Sequence, residues 1–235
     1  LISSGVDVFR INFSHSSYAE TKKIVDDIRS LNSELKVHVS ILGDLQGPKI
    51  RIGQVEQGVE LKKGDVLSFT TTDPDYIGDK RKVSINYSSF PSDVSKNEKI
   101  LINDGKLILK VIKTNKKDYV EAKVIQGGSL NSNKGVNLPN TKISMPALTP
   151  KDKEDALFSI KNKFDWIALS FVRNSKDLSI LKKLIETNSS QKIPIIAKIE
   201  KPQAIENIDG ILKNSDGLMV ARGDLGIEIP SEEVP

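Results

Sequence analysis

Two short apolar runs near the end of the sequence finish in charged residues. The segments 195–200 and 218–224 each open with aliphatic residues. Such runs are typical of strands in a parallel sheet, where both faces are buried. Because side chains alternate along a strand, four ionisable groups are expected to project from these two strand ends: Lys198, Glu200, Arg222 and Asp224. Ligands of parallel sheets bind at that end, so the pattern predicts a binding site there, with structural ion pairing as the alternative.

The first 50 residues read as strand, helix and strand. Segment 6–14 alternates strictly between apolar and polar residues, which is typical of a strand inside a barrel. Ser17 and Glu20 form a capping box that predicts the start of a helix. The residues expected to face inward from this helix are Ile24, Ile28 and Leu31. Segment 37–42 predicts the next strand, which ends at Asp44.

The period of the pattern changes between residues 52 and 139. Short runs rich in β-branched residues alternate there with turn signals, which indicates an all-β domain. Segments 99–109 and 111–125 each predict two strands around a tight turn. The glycine-rich segment 127–135 suits a hinge or a phosphate contact, and its composition favours the hinge.

Strands and helices alternate again after residue 145. Thr149 and Pro150 predict a helix start, and segment 166–172 predicts a strand. The next helix has an apolar stripe formed by Leu178, Leu181, Leu184 and Ile185. A later helix opens at Pro202, with the expected inward residues Ile205, Ile208 and Leu212.

This order predicts an α/β fold, a truncated (β/α)8 TIM barrel with an inserted small all-β domain. Five parallel strands are expected, where a closed barrel has eight. The predicted domains are 1–51 as the first part of the barrel, 52–139 as the insertion and 140–235 as the continuation of the barrel. We expect the chain to be a fragment that lacks the last barrel strands and a carboxyl-terminal domain, and to be inactive alone.

Composition narrows the functional classes. The 235 residues contain no cysteine, which excludes disulfides and thiolate metal sites. The apolar runs are too short to span a bilayer, so no membrane partner is expected. The net charge is +4, which suits small anionic substrates as well as nucleic acid. Aromatic residues make up only 5% of the chain, so a nucleic-acid partner is not expected.

Six motifs in this order resemble the pyruvate kinase family over essentially the whole chain. They are Phe9–His15, Asp44–Arg51, Lys134–Pro139, Ser170–Arg173, Ala197–Glu200 and Met219–Gly226. The resemblance implies a cytoplasmic enzyme, a homotetramer at full length, that transfers a phosphoryl group from phosphoenolpyruvate to ADP, giving pyruvate and ATP. It also implies that the inserted domain closes as a lid.

The resemblance further implies roles for individual residues. Lys198 and Arg10 are expected to be catalytic, because a phosphoryl transition state carries spread negative charge. The residues expected to bind substrate are Arg10, Ser170, Lys198, Gly223 and Asp224. Those expected near the nucleotide are Asn12, His15, Arg51 and Lys134. Glu200 and Asp224 are expected to hold Mg²⁺ or Mn²⁺, since hard cations prefer oxygen ligands.

One motif departs from the pattern of potassium-dependent members. The family's monovalent-cation positions correspond to Asn12, Ser14, Asp44 and Leu45. At this strand end those members usually read Asp-Thr-Lys-Gly-Pro-Glu, whereas this chain has Lys49 in place of the glutamate. The hypothesis is that the ammonium of Lys49 replaces K⁺, so that K⁺ is not required.

Three alternatives remain open at this point. A Mg²⁺-dependent aldolase or lyase of the same barrel fold accounts for Glu200 and Asp224, but not for the β insertion, Arg51 or Lys134. A basic nucleic-acid-binding module accounts for the positive charge but lacks an aromatic stacking platform. A non-catalytic relative is disfavoured because Arg10, Lys198, Glu200 and Asp224 are all present.

Overall fold

Five strands of the described chain form a parallel sheet, and a separate set of strands forms a mainly antiparallel one. The structure is a computed structural model that describes the backbone of residues 1–235 and every side chain except that of Ser231. It divides into two compact units, one formed by Leu1–Pro48 and Pro146–Ala221, the other by Lys49–Met145 and Arg222–Pro235. We call the first the parallel unit and the second the β unit.

The helices and strands follow one another along the chain in a regular order. They are β1 (Val8–Asn12), α1 (Tyr18–Leu35), β2 (Ser40–Asp44), β3 (Glu60–Leu61), β4 (Val66–Thr70), β5 (Lys82–Ser84), α2 (Phe90–Asp93), β6 (Lys99–Ile102), β7 (Leu107–Thr114), β8 (Tyr119–Gln126), β9 (Gly128–Ser129), β10 (Val136–Asn137), α3 (Pro150–Lys161), β11 (Trp166–Leu169), α4 (Ser175–Asn188), β12 (Ile195–Ile199), α5 (Pro202–Glu206), α6 (Ile208–Leu212), β13 (Gly217–Val220) and α7 (Arg222–Glu228). None of the described helices is both long and apolar enough to span a bilayer.

The sheet of the parallel unit keeps the order of the chain. Its strands lie in the order β1-β2-β11-β12-β13, and every neighbouring pair is parallel. A doubly wound sheet reverses its strand order at a switch point, whereas a barrel adds each strand beside the previous one. The α/β fold and the five parallel strands are therefore as predicted.

The prediction that both charged runs form fully buried strands is wrong for the second one. Strand β13 is the last strand of the described sheet, and Leu218 and Val220 are exposed on it. Strand β12, which has a neighbour on each side, buries Ile195, Ala197 and Ile199. Burial in this sheet thus depends on having partners on both sides.

Helix starts were predicted better than helix faces. Ser17 and Thr149 cap α1 and α3 as expected, and Thr149 forms a capping box with Asp152. On α1 the buried residues are Thr21, Val25 and Ile28, while the expected Ile24 and Leu31 are exposed. The inward face is rotated by one position, because the small polar Thr21 occupies a core position that a hydrophobicity pattern does not count.

The helix predicted after Pro202 is divided at Asn207 into α5 and α6. Ala204 and Ile211 are buried there, whereas the expected Ile205 and Leu212 are exposed and Ile208 is only partly buried. The expected inward face is again displaced by one residue. Helix α4 is as predicted, with Leu178, Leu181 and Ile185 buried and Leu184 packed beside them.

The β unit contains a six-stranded sheet in the order β10-β6-β7-β8-β4-β5. Its two predicted hairpins are present as β6–β7 and β7–β8. Strands β3 and β9 pair antiparallel and form a separate two-stranded sheet. Buried aliphatic and aromatic side chains fill the core, among them Leu67, Phe69, Ile100, Leu109 and Val120.

The glycine-rich segment 127–135 lies within the β unit and is hydrogen-bonded there, which does not favour the hinge interpretation. Gly128–Ser129 pair with β3, and Leu130 is buried with its N–H on the carbonyl of Val59. The N–H of Asn133 donates to the carbonyl of Gly53. A segment with backbone hydrogen bonds along its length opens less readily than a free linker.

Replacement of Gly127 by alanine tests how tightly this segment is held. A Cβ at Gly127 would lie 2.2 Å from the carbonyl oxygen of Leu61, a backbone atom that cannot rotate away. We expect Gly127→Ala to lower the free energy of unfolding by about 1–3 kcal/mol, as overpacking does, measured by chemical denaturation of the intact protein. In the control Gly210→Ala the nearest atom is 3.8 Å away, and the helix gains stability. Equal stability of the two variants would contradict the tight packing.

Candidate active site

Four neighbouring strands of the parallel unit bring five polar side chains to their carboxyl ends. Arg10 lies on β1, Asp44 ends β2, Ser170 follows β11, and Lys198 and Glu200 lie on and directly after β12. The strand order places these elements side by side. Three of the five side chains are charged and almost fully buried: Asp44 is 2%, Glu200 1% and Lys198 8% exposed.

The ammonium of Lys198 lies at the centre of this cluster. Its Nζ is 2.9 Å from Oε1 of Glu200 and 3.1 Å from Oδ1 of Asp44. It also donates a hydrogen bond of 2.8 Å to Oγ of Ser170. Buried charges are retained when they are paired and hydrogen-bonded, and this geometry meets both conditions. The prediction that Lys198 and Glu200 point the same way is confirmed.

Asp44 joins Lys198 to a second cation. Its Oδ2 accepts hydrogen bonds from Arg10, at 2.7 Å from Nε and 2.5 Å from Nη2. The side chain of Arg10 is 51% exposed, so part of its guanidinium faces solvent while the rest is held by a buried carboxylate. The sequence pattern did not reveal this pairing, because it gives no register between β1 and β2.

A left-handed residue orients Glu200. Phe171 has φ of 54°, and its N–H donates to Oε2 of Glu200 at 2.8 Å. Gly47 fits against it, since a Cβ at Gly47 would lie 2.9 Å from the Phe171 ring. Such conformations cost roughly 1–3 kcal/mol and are kept where the surroundings enforce them. Phe171 is a site residue that sequence reasoning missed, and no local sequence signal marks its conformation.

The environment of Lys198 stabilises its charged form. Burial alone would lower the pKa of Lys198, but the carboxylates of Glu200 and Asp44 more than offset it, and the pKa is raised. A raised lysine pKa means that the stabilisation is complete at neutral pH and is lost as the pH rises through the folded-state value. Lys198 is therefore an ammonium under physiological conditions.

The loop between β1 and α1 lies beside this cluster. Oδ1 of Asn12 accepts the N–H of Ser14 at 3.0 Å, and the carbonyl of Asn12 accepts the N–H of His15. Arg10, Asn12 and His15 line one groove of about 700 Å³ along α1.

Leu45, another expected cation position, is buried, and its carbonyl accepts a hydrogen bond of 2.6 Å from the hydroxyl of Ser170.

Three other predicted residues lie close together in the β unit. Nη1 of Arg51 donates to the carbonyl of Asn133 at 3.0 Å, and the carbonyl of Lys134 accepts the N–H of Ile52. The carbonyl of Lys49 accepts from the Asn86 side chain. The motifs around Arg51 and Lys134, far apart in sequence, are thus joined by hydrogen bonds within this unit.

The expectation that Arg222 and Asp224 lie on a strand is wrong. Strand β13 ends at Val220, and both residues belong to α7, with Asp224 in its first turn. The alternation that aligned their side chains therefore does not apply. Gly223 also lies in this first turn, where backbone N–H groups lack partners inside the helix. The helix belongs to the β unit.

No group of three or more histidine, aspartate or glutamate side chains among the described residues is placed to hold a metal ion. Glu200 in the parallel unit and Asp224 in the β unit each carry a carboxylate, the ligand type that hard cations prefer. Glu200 is fixed from two sides, by Lys198 and by the N–H of Phe171.

Comparison with known proteins decides the family. The family model described as the barrel domain of pyruvate kinase matches residues 1–235. The chain belongs to the pyruvate kinase family. Pyruvate kinase 2 of Synechocystis is 43% identical and the pyruvate kinase of Geobacillus stearothermophilus 42% identical, each over the whole chain and 40% of the relative. The Thermotoga maritima enzyme is 43% identical, and the chain covers 50% of it.

A solved structure agrees with this assignment. The crystal structure of a pyruvate kinase from Cryptosporidium parvum superposes with a TM-score of 0.91 at 37% identity, covering 99% of this chain and 49% of that chain. The chain thus spans 40% to 50% of the length of these relatives.

Removal of the Lys198 charge tests the electrostatics of the cluster. Lys198→Met leaves two buried carboxylates without their shared cation, so we expect a loss of about 3–5 kcal/mol in the free energy of unfolding of the intact protein. The double variant Lys198→Met/Glu200→Gln should recover part of this loss. Lys22→Met, which breaks the exposed Lys22–Asp26 pair, should cost less than about 1 kcal/mol. A Lys198→Met loss as small as this control would show that the cluster is not held by charge.

Proposed function

We propose that the intact protein containing this chain is a pyruvate kinase. It transfers the phosphoryl group of phosphoenolpyruvate to a terminal phosphate oxygen of ADP, which gives ATP and the enolate of pyruvate; proton uptake at the enolate carbon then gives pyruvate. The observation that carries the proposal is the ammonium of Lys198, held between Asp44 and Glu200 beside the guanidinium of Arg10. Membership of the family supports it.

Each cation has a role in this reaction. The phosphoryl group moves through a loose transition state with charge spread over its oxygens, so preorganised positive groups lower the barrier. Lys198 neutralises the transferring group and the developing enolate oxygen. The exposed part of Arg10 binds the phosphate. Ser170 holds the ammonium of Lys198 and binds substrate in a secondary role.

The remaining site residues are assigned by the family motifs. Gly223 and Asp224 receive the substrate carboxylate with their backbone. Asn12, His15, Arg51 and Lys134 bind the nucleotide; the groove beside Asn12 and His15 supports the first pair. Glu200 and Asp224 hold Mg²⁺ or Mn²⁺. When bound, this ion supplies positive charge to the phosphoryl oxygens.

The proposed architecture is a TIM barrel interrupted by a lid. The chain leaves the parallel unit at Pro48 and returns to it at Pro146, which supports an insertion. The sequential order of the five parallel strands supports a barrel that the rest of the intact protein closes. The segments 1–51, 52–139 and 140–235 remain the proposed domain limits, and a homotetramer the proposed assembly. Inactivity of the 235 residues alone stays a prediction.

ATP formation from phosphoenolpyruvate and ADP by the intact protein tests the proposal directly. We expect pyruvate formation that depends on ADP in a lactate-dehydrogenase-coupled assay, and a decrease of about 10²- to 10³-fold or more in Lys198→Met, because a preorganised charge is removed. Lys22→Met serves as the control and should keep full turnover. Retro-aldol cleavage without ATP formation would favour the lyase alternative and contradict a kinase.

We also propose that the intact enzyme does not require K⁺. Asp44, one of the expected cation positions, already contacts the two cations Arg10 and Lys198. Oδ1 of Asn12, another such position, accepts the N–H of Ser14. Lys49 supplies a fixed positive charge where potassium-dependent members carry a glutamate.

Exchange of this residue tests the potassium hypothesis. We expect full turnover in potassium-free buffer, and a Lys49→Glu variant whose turnover falls without K⁺ and recovers when K⁺ is added. The exposed Lys36→Glu serves as a control of equal charge change. Dependence of the unmodified enzyme on K⁺ would refute the hypothesis.

A further inference from the structure

Three lysines form a row across the sheet of the β unit. Lys99 on β6 pairs with Lys110 on β7, and Lys110 pairs with Lys123 on β8. All three are exposed, and none forms an ion pair within the part of the chain that the structure describes. Residues directly opposite in a sheet share one face, so three positive charges lie side by side there.

This row works against the stability of the sheet. Neighbouring strands lie about 4.8 Å apart, and like charges directly opposite one another are destabilising. Lysines often protect the open edge of a sheet, but Lys110 and Lys123 lie on the interior strands β7 and β8. β6 pairs with β10 only at Leu101 and Ile102, so edge protection applies to Lys99 alone. Glu121, on the same face of β8, lies opposite Lys113 of β7 in the strand register. It accepts a hydrogen bond from the hydroxyl of Tyr119.

Exposed aliphatic residues accompany the lysines. Val66 on β4 pairs with Lys123 and extends the same row. Ile112 on β7 and Ile125 on β8 lie two positions from Lys110 and Lys123, at the two register shifts of the β7–β8 pairing, and both are exposed as the lysines are. All three aliphatic side chains are exposed. This face therefore combines unpaired positive charge with exposed apolar surface. A partner that carries both acidic and apolar side chains neutralises the charge and covers the apolar surface.

We infer that this face, formed by Lys99, Lys110, Lys123, Val66, Ile112 and Ile125, binds an acidic segment of a partner protein. Carboxylates of the segment neutralise the lysine row, and its apolar side chains cover Val66, Ile112 and Ile125. Branched aliphatic side chains flank the lysines, where a surface for single-stranded nucleic acid presents aromatic rings for stacking. The charge complementarity thus favours a peptide with interspersed acidic and apolar residues.

A peptide-binding experiment on the intact protein tests the inference. The probe is a fluorescein-labelled peptide of alternating Glu and Leu, roughly ten residues long. In an extended conformation such a peptide spans the row of strands and can turn either its Glu side or its Leu side to the face. We expect saturable binding by fluorescence anisotropy that weakens as salt is raised. The triple variant Lys99→Gln/Lys110→Gln/Lys123→Gln should bind about tenfold or more weakly.

Matched probes and variants decide between the possible occupants. The control triple variant Lys62→Gln/Lys63→Gln/Lys80→Gln removes the same charge from turns of the β unit and should keep the affinity. Equal loss in both triple variants would overturn the inference, as would equal binding of a Glu–Ser peptide. Tighter binding of an oligothymidine or of anionic vesicles through the same lysines would also overturn it. So would failure of the three lysines to react with an acylating reagent, because the face would then be covered by the rest of the protein.

Stability gives a second readout that needs no ligand. Lys110→Glu places an acid between Lys99 and Lys123 and turns two repulsive pairs into attractive ones. We expect a higher melting temperature at low salt, a gain that shrinks at high salt, and weaker peptide binding. Lys63→Glu, the control in a turn, should change neither. A melting temperature that Lys110→Glu leaves unchanged would show that the row carries no strain, and would overturn the argument.

Discussion

The burial of Lys198 between Asp44 and Glu200 is the constraint on which the rest of the parallel unit depends. An ion removed from water loses several kcal/mol of solvation, and only close partners with good geometry offset that loss. Here the partners come from different strands, since Asp44 ends β2 and Glu200 follows β12. The charge pairs therefore fix the carboxyl ends of these strands relative to one another. Ser170, directly after the intervening strand β11, accepts a hydrogen bond from the same ammonium.

The backbone around the cluster is shaped to hold these charges. Phe171 adopts a left-handed conformation that aims its N–H at Glu200, and Gly47 leaves the space for its ring. The N–H of Gly47 in turn donates to Asp152, the buried residue of the capping box of α3. The start of a helix, a tight turn and a metal-ligand candidate are thus connected by three successive contacts. Local strain at Phe171 is maintained by packing on both sides.

Sequence patterns located the elements of this protein better than their orientation. Alternating and apolar runs predicted five parallel strands and two hairpins, because burial on one or both faces of a strand leaves a direct trace in composition. The helix faces at Ile24 and Ile205 were displaced by one residue, since Thr21 and Ala204 fill core positions without being strongly apolar. The alternation rule failed at Arg222, where the chain leaves the strand and starts a helix.

The site shows the same division. The charge at the end of β12 predicted that Lys198 and Glu200 lie together, because both are on one strand and two residues apart. The contact of Arg10 with Asp44 joins two strands whose register the sequence does not give. The conformation of Phe171 depends on Gly47 and Glu200, which are distant in the chain. Contacts between elements and strained backbone conformations are therefore what the sequence patterns did not supply.

The charge of the cluster bears on the cofactor that the proposed reaction needs. Arg10 and Lys198 carry two positive charges, and Asp44 and Glu200 carry two negative ones, so the four described side chains sum to zero. A phosphoryl donor brings further negative charge, and a neutral cluster does not offset it by Coulomb attraction alone. Oε2 of Glu200 accepts a hydrogen bond from the backbone N–H of Phe171. In the proposed reaction, a divalent ion held at Glu200 would supply this positive charge.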